Sequence, residues 1–265
     1  MLNNNKSESI YKTIIQKGFI LLSLMFLWEL IARSGIFNEL LFPRFSTIAL
    51  SFFQQVQNGY LIEITLVSLS LIFKGLLISL IIALLLSFLA MMGNFFHNLV
   101  EVLNSIFHPL PGIALLPVAM LWFGLSEASI IFIIAHSVIW PMVISFLTGL
   151  KSIPRINIEV GQNIGLKGPA LIWGVMLPAA SPYILSGIKI GWARAWRSAI
   201  AAEMVFGAVG TAGGLGWHIF KTRYDFDIVG TFAALLTIMV VGIVVEELFF
   251  NSIENRTIKR WNMIV

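Results

Sequence analysis

The chain has 265 residues, 58% of them hydrophobic and only 11% charged, where an ordinary soluble domain carries about 25% charged residues. With a mean hydropathy of +0.91, that composition excludes a soluble globular protein and identifies an integral membrane protein. There is no cysteine, which removes disulfides and thiolate metal sites, and the formal charge of +4 is no nucleic-acid signal, because Lys and Arg in a membrane protein mark mainly the cytoplasmic side.

Residues 1–17 are polar and carry Lys6, Lys12 and Lys17. The apolar run at 18–36 extends through Phe26-Leu27-Trp28, so it reads as a retained first span; an uncleaved signal anchor gives the same topology. Glu29 and Arg33, four apart near its outer end, form a local ion pair in this reading. After Phe42-Pro43, residues 44–58 place Ile48, Phe52, Phe53 and Val56 at helical spacing, with Gln54, Gln55, Gln57 and Asn58 toward water. That pattern predicts an interfacial helix on the outer surface.

Further spans are expected at 65–92, 99–122, 127–149, 182–206 and 228–250, each long enough to cross about 30 Å of hydrocarbon. Pro109, Pro111, Gly112 and Pro117 interrupt the third. Backbone groups freed at such a break need neighbouring helices or a wet cavity, so this span belongs inside the bundle. The expected fold is an all-α integral membrane protein of about six transmembrane helices. Six crossings put both termini on one side. With the N-terminus inside, inner segments hold Lys6, Lys12, Lys17, Lys151, Arg155, Lys167, Arg256, Lys259 and Arg260, and outer segments hold Arg33, Arg44, Lys221 and Arg223. The bias runs in the direction of the positive-inside rule, whereas a re-entrant 99–122 would leave five crossings and a basic C-terminus outside.

Between the fourth and fifth spans lies a polar break punctuated by Gly and Pro. Ser152 is suited to cap a short helix that begins at Pro154 and ends at Gly165. Gly168-Pro169 opens a second short helix through Leu171, Ile172, Val175 and Met176, which Pro178 stops; Ser181-Pro182 then starts the next span. Two short helices at an angle make a knob that a partner can grip. Glu159 faces outward on it, and Gly161 and Gly165 allow close approach of a foreign backbone. An ordinary capped cytoplasmic loop is the alternative reading of the same residues.

Charged residues within spans are Lys74, Lys189, Arg194, Arg197 and Glu203, and each would cost roughly 2.5 to 3.5 kcal/mol facing lipid at mid-bilayer. Arg194 and Arg197 share one flank of the fifth span, while Glu203, nine residues beyond Arg194, points to the opposite face. The arginines therefore either meet acids from other helices or line a wet pathway, where a guanidinium pair would suit a small oxyanion. Lys189 is expected to snorkel toward the inner surface. Trp192 and Trp196 share a face, for packing or for stacking on a ligand. His97, His108, His136 and His218 show no metal-ligand spacing. The outer loop holds Gly207, Gly210, Gly213, Gly214 and Gly216, then Lys221, Arg223, Asp225 and Asp227. No strand precedes it and the chain has no Gly-Lys pair, which argues against a phosphate loop. The glycines suit a turn packed at a pathway mouth, and the charges suit contact with another protein. No metalloprotease or nucleophile-elbow motif and no paired aspartates occur in the spans, so no catalytic residue is assigned.

Glu159 and Gly165, six apart, with Leu177-Pro178 beyond them, resemble the coupling-loop motif of ABC importer permeases. His108-Pro109-Leu110-Pro111-Gly112-Ile113-Ala114-Leu115-Leu116-Pro117 with Leu121-Trp122-Phe123-Gly124-Leu125, and also Arg194-Ala195-Trp196, Ala201-Ala202-Glu203-Met204, Gly213-Gly214-Leu215-Gly216 and Trp28-Glu29, resemble the nitrate, sulfonate and taurine branch. The likeness runs from about residue 20 onward. It departs from the family at Val160-Gly161, where two alanines name the motif, and at Trp173-Gly174, where relatives often carry basic residues. The resemblance implies a type-1, methionine-importer-like permease fold. It implies an N-terminal region at 1–60, a permease domain at 61–250 with its coupling loop at 152–178, and a basic cytoplasmic tail at 251–265. It further implies a second permease copy, a cytoplasmic ATPase that uses ATP and Mg, and an extracytoplasmic binding protein that delivers the solute in the cytoplasmic membrane of a bacterium. On this reading Glu159, Gly161, Gly165, Leu177 and Pro178 couple to the ATPase, and Arg194, Arg197, Trp196 and Glu203 line the pathway. Gly213, Gly214, Gly216, Lys221 and Arg223 form an outer gate or a binding-protein contact. A vitamin or vitamin precursor as cargo, or an ion-coupled transporter without an ATPase, are the alternatives.

Overall fold

Five helices among the described residues are long and apolar enough to cross a membrane: Ile15–Arg33, Tyr60–Ala90, Glu127–Lys151, Pro169–Phe206 and Ile228–Phe250. A sixth crossing results if Asn94–Phe107 and Gly112–Phe123, which meet at 85°, form one broken span. The computed structural model describes residues 2–208, 213–250 and 252–253, with side chains from residue 15 onward. Gly210, the side chains of Lys6 and Lys12, and the tail cations Arg256, Lys259 and Arg260 lie outside the described residues.

The helices are α1 (Leu2–Arg33), α2 (Phe45–Gln57), α3 (Tyr60–Ala90), α4 (Asn94–Phe107), α5 (Leu116–Phe123), α6 (Glu127–Lys151), α7 (Arg155–Asn163), α8 (Pro169–Leu171), α9 (Leu177–Phe206), α10 (Leu215–Tyr224) and α11 (Ile228–Val244). A single 3-10 turn at Gly112–Leu115 leads into α5. π-turns occupy Ile172–Met176 and Val245–Phe250. No strand occurs among the described residues.

The chain divides into two units, residues 1–61 with 219–237, and residues 62–218 with 238–265. In the first, Trp28 of α1 donates its ring N–H to the Pro43 carbonyl at 3.0 Å and stacks on Phe42 with ring centres 4.5 Å apart. The expected Glu29–Arg33 ion pair forms at 2.7 Å. Glu29 also accepts from the Ser46 backbone N–H and hydroxyl, which fixes the start of α2. α2 appears where periodicity puts it and buries Ile48, but Phe53 is exposed rather than on the Ile48 face. Asp227 caps α11 by accepting the Gly230 N–H at 2.8 Å.

The second unit is organised around α6, the most buried of the spans. Helix α9 packs along it through a stripe of small residues, Gly187, Gly191, Ala195, Ala199 and Ala202, the spacing that lets two membrane helices approach closely. Gly149 of α6 accommodates Tyr183, and Gly75 of α3 accommodates Ile134. The predicted break in the third span is at His108–Pro111, where Pro109 and Pro111 cannot donate to a helix.

Pro178 and Pro182 differ from expectation. Neither breaks the helical run: Pro169–Phe206 continues over 38 residues, with Pro178 in the first turn of α9 and Pro182 inside it. The wider π-turn at Ile172–Met176 directly precedes Leu177-Pro178 and absorbs the missing donor and the ring clash that a proline brings. Beside Pro182, the Ser145 hydroxyl donates to the Tyr183 carbonyl at 2.8 Å and ties α6 to this stretch of α9. At about 1.5 Å per residue the helix reaches roughly 57 Å, nearly twice the hydrocarbon thickness, so its first turns project beyond the bilayer.

Candidate functional site

The elbow between α6 and α9 is built from helix ends. Gly165 has φ +91, the left-handed conformation that closes α7, and the Leu166 N–H reaches back to the Gly161 carbonyl at 3.0 Å. Gly168, at φ +52, starts α8 as expected. Ser152 does not cap α7: it is the last residue of the α6 turn, and its hydroxyl donates to the Gly149 carbonyl at 2.8 Å. The chain enters α7 through Pro154 in an extended conformation instead.

Glu159 is half-exposed, and its carboxylate accepts from Arg155 Nε at 2.8 Å, one turn back on the same helix. Gly161, expected to face a foreign backbone, is buried, and a Cβ there would approach Leu171 Cδ1 at 2.8 Å and Val175 Cγ2 at 2.9 Å. Its missing side chain lets α7 lie on the start of the α8–α9 helix. Leu177 is half-buried and Pro178 exposed at that start. The elbow is seated on the bundle by Leu150, Ile153 and Ala180, with Phe88, Ile158, Met176 and Ile184 packed around them. Ile156 and Val160, one helical stripe of α7, and Ile164 just past its end remain exposed with Trp173. That apolar ridge was not read from the sequence, although its spacing of four was present there.

At the break in the third span the structure forms a cavity of about 510 Å³, lined by residues 108–113, His136, Ser137, Trp140, Arg194, Arg197, Ser198 and Ala201. Arg194 and Arg197 are about 18 and 14 Å from the Phe206 end of α9 at helical rise, which is mid-depth for a crossing. Arg197 Nε donates to the Ala193 carbonyl at 3.0 Å, and neither guanidinium makes an ion pair among the described residues. The other two intramembrane cations do: Lys74 with Glu127 at 2.7 Å, and Lys189, expected to snorkel, with Glu246 at 3.9 Å.

Trp196 and Glu203 stand apart from this cavity. Trp196 is buried and stacks on Trp192 with ring centres 5.9 Å apart, a packing role. Glu203 is 1% exposed. Its Oε2 accepts from the Ser68 hydroxyl at 2.9 Å and from the Gly216 N–H at 2.8 Å, and Ser68 Oγ accepts the Leu215 N–H at 2.9 Å. Gly213, Gly214 and Gly216 are therefore buried rather than offered to a partner: a Cβ on Gly214 would meet the Glu203 carboxylate, and one on Gly216 the Ile200 carbonyl. Gly207 and Gly213 take φ +81 and +68. Lys221 and Arg223 are exposed on α10, beside Tyr224 and Phe226.

Residues 75–259 match the family described as binding-protein-dependent transport system inner membrane component. A protein of Methanocaldococcus jannaschii, provisionally named an ABC transporter permease protein, is 30% identical over 257 residues, which cover 93% of each chain. The taurine transport system permease protein of Escherichia coli is 30% identical over 148 residues, 56% of this chain and 51% of its own. The nitrate import permease protein of Synechocystis is 29% identical over 154 residues, 58% of this chain and 54% of its own.

Proposed function

The chain belongs to the family of binding-protein-dependent transport inner-membrane components, and from that premise we propose that it is the pathway-forming subunit of an ABC importer that moves a small anion by ATP-driven alternating access. Membership brings the type-1 permease fold and a multi-pass membrane protein. The anion reading draws on the taurine and nitrate named in its relatives and on the guanidinium pair without a carboxylate partner among the described residues. The proposal extends to both termini in the cytoplasm, a second permease copy, an extracytoplasmic binding protein and an ATPase that consumes ATP with Mg. It also assigns residues 1–60 to an N-terminal region, 61–250 to the permease domain and 251–265 to a basic tail.

The observation that carries the reading is the elbow. α7 is exposed, closed by Gly165 and packed through Gly161 onto a helix that runs without interruption from Pro169 to Phe206. A push on α7 is thereby delivered to a rod that crosses the bilayer and carries Arg194 and Arg197. Closing of two ATPase subunits would move two such rods as rigid bodies. Glu159, Gly165, Leu177 and Pro178 are proposed as the coupling residues, with Gly161 acting through internal packing. Lys221 and Arg223 are proposed to meet the binding protein.

The test is co-expression with candidate ATPase and binding-protein genes from the same genome, purification through a tag on this chain, and reconstitution into vesicles. The ATPase is expected to co-purify, and uptake of taurine, a sulfonate or nitrate to require ATP. Purification of the chain alone, with uptake insensitive to vanadate, would overturn the importer reading in favour of a secondary transporter.

A further inference from the structure

We infer that the cavity at the broken third span is a recognition site for the transported oxyanion within the permease itself, with Arg194 and Arg197 supplying charge and Ser137, Ser198, His136 and Trp140 shaping a second set of polar groups around it. The inference rests on the importer reading and adds where, and by which side chains, the solute is recognised during passage.

The first ground is charge. The fold gives Lys74 and Lys189 a carboxylate each, yet among the described residues it gives none to Arg194 or Arg197, and no acidic residue lines their cavity. An uncompensated charge at membrane depth is costly, and a guanidinium can only donate hydrogen bonds. The ligand that completes the site must therefore bring both negative charge and acceptor atoms, which describes an oxyanion head group of the nitrate, bicarbonate or sulfonate type.

The second ground is the backbone. Non-helical chain at membrane depth is tolerated where it is buried in protein or lines a water-filled cavity, and the His108–Pro111 break lines this one. Gly112 fixes how closely that wall approaches α6, since a Cβ there would collide with the Ser137 hydroxyl and come within 3.0 Å of the Ile133 carbonyl. The resulting volume of about 510 Å³ falls within the range of small-molecule sites.

The third ground is a set of unspent polar atoms. Both ring nitrogens of His136, Trp140 Nε1 and His108 Nδ1 are buried without a hydrogen-bond partner in the protein. Buried polar groups left unmet cost about 1 to 3 kcal/mol each. Their residues line one cavity beside two arginines without carboxylates, and because the atoms themselves are shielded from it here, their partners come with a rearrangement of this wall in another state of the transport cycle.

The test uses the permease–ATPase complex in lipid nanodiscs without the binding protein. Thermal unfolding is recorded against nitrate, bicarbonate, methanesulfonate and taurine, with choline as a cationic control. At least one oxyanion is expected to stabilise the complex saturably and choline not to do so. Arg194→Gln and Arg197→Gln should each weaken that apparent affinity tenfold or more, while Lys74→Gln leaves it unchanged. Arg194→Lys and Arg197→Lys, which keep charge but lose the fork, should fall between and guard against misfolding of the neutral variants. No stabilisation of the wild type by any probe, or equal affinities in the wild type and in folded arginine variants, would overturn the inference. Uptake by the complete transporter separates the two claims. ATP-driven import with an unchanged rate and apparent KM in the arginine variants rejects the recognition site and leaves the importer standing. No ATP-dependent import by the wild type removes the importer reading itself.

Discussion

The two ends of the Pro169–Phe206 helix are held in opposite ways. At the Pro169 end α7 is exposed, its Glu159 is paired with Arg155 one turn away, and the elbow sits on the bundle through a small cluster around Leu150, Ile153 and Ala180. At the Phe206 end Glu203 is 1% exposed and bonded to Ser68, 135 positions away in the chain, and to Gly216, where a Cβ would meet the Ile200 carbonyl. In the proposed importer one end is a handle and the other a fixed point. A lever between an ATPase and a membrane pathway needs both, and substitutions at the two ends should separate into loss of coupling and loss of structure.

The largest effect is expected at the fixed point. Gly216→Val drives a side chain into the Ile200 carbonyl, a backbone atom that cannot rotate away. A cost of about 3 kcal/mol follows, or loss of folded protein from the membrane. Gly174→Ala, where a Cβ meets only Leu166 at 3.4 Å, is the control. Melting in detergent should fall for the first and hold for the second; equal melting would show that the outer turn has slack. Next comes Glu203→Ala, which strands the Ser68 hydroxyl and the Gly216 N–H in the interior at about 2 to 3 kcal/mol. Glu203→Gln retains an acceptor and should recover most of that loss. Full destabilisation by the glutamine would make the charge, rather than the bonds, the fastening.

At the handle the balance reverses. Gly165→Leu forces a branched residue into φ +91, a strain of about 1 to 2 kcal/mol, but confined to an exposed turn. The variant should still insert and melt within a few degrees of the wild type while losing most ATP-driven uptake. Uptake at the wild-type rate would break the comparison, because the elbow would then be a loop without a load.

This contrast also marks what could be read from the chain alone. The spans were legible because bilayer thickness dictates a run of about 20 apolar residues, and the break was legible because Pro109 and Pro111 carry no donor. Gly165 was legible as a left-handed position and Gly168-Pro169 as the start of a helix. Pro178 and Pro182 misled because a π-turn and contacts from α6 override a local stop signal. Gly161 and Glu203 misled for a common reason: their partners, Leu171 and Val175 for one, Ser68 and Gly216 for the other, are set by tertiary packing that no periodicity records. The cavity was half visible. Arg194 and Arg197 declared themselves by charge, whereas His136, Ser137 and Trp140 were a polar stripe on an apolar span that could have been weighed beside them.

The smallest expected effect is the most informative about the handle. Arg155→Ala removes the partner of Glu159 in a pair that is solvent-exposed on the Arg155 side at 92%, and exposed pairs four residues apart contribute about 0.3 to 0.5 kcal/mol. Melting should therefore be unchanged within error. Function need not be silent. If Glu159 works by meeting a cation on the ATPase, Arg155 competes for the same carboxylate, and its removal should leave complex formation intact or strengthen it about twofold, an effect that high salt erases. Glu159→Ala should weaken complex formation in either background. A loss of ATPase binding in Arg155→Ala as large as in Glu159→Ala would mean that the pair acts as a unit, with the arginine itself in the contact. The handle would then present a guanidinium rather than a carboxylate to its partner.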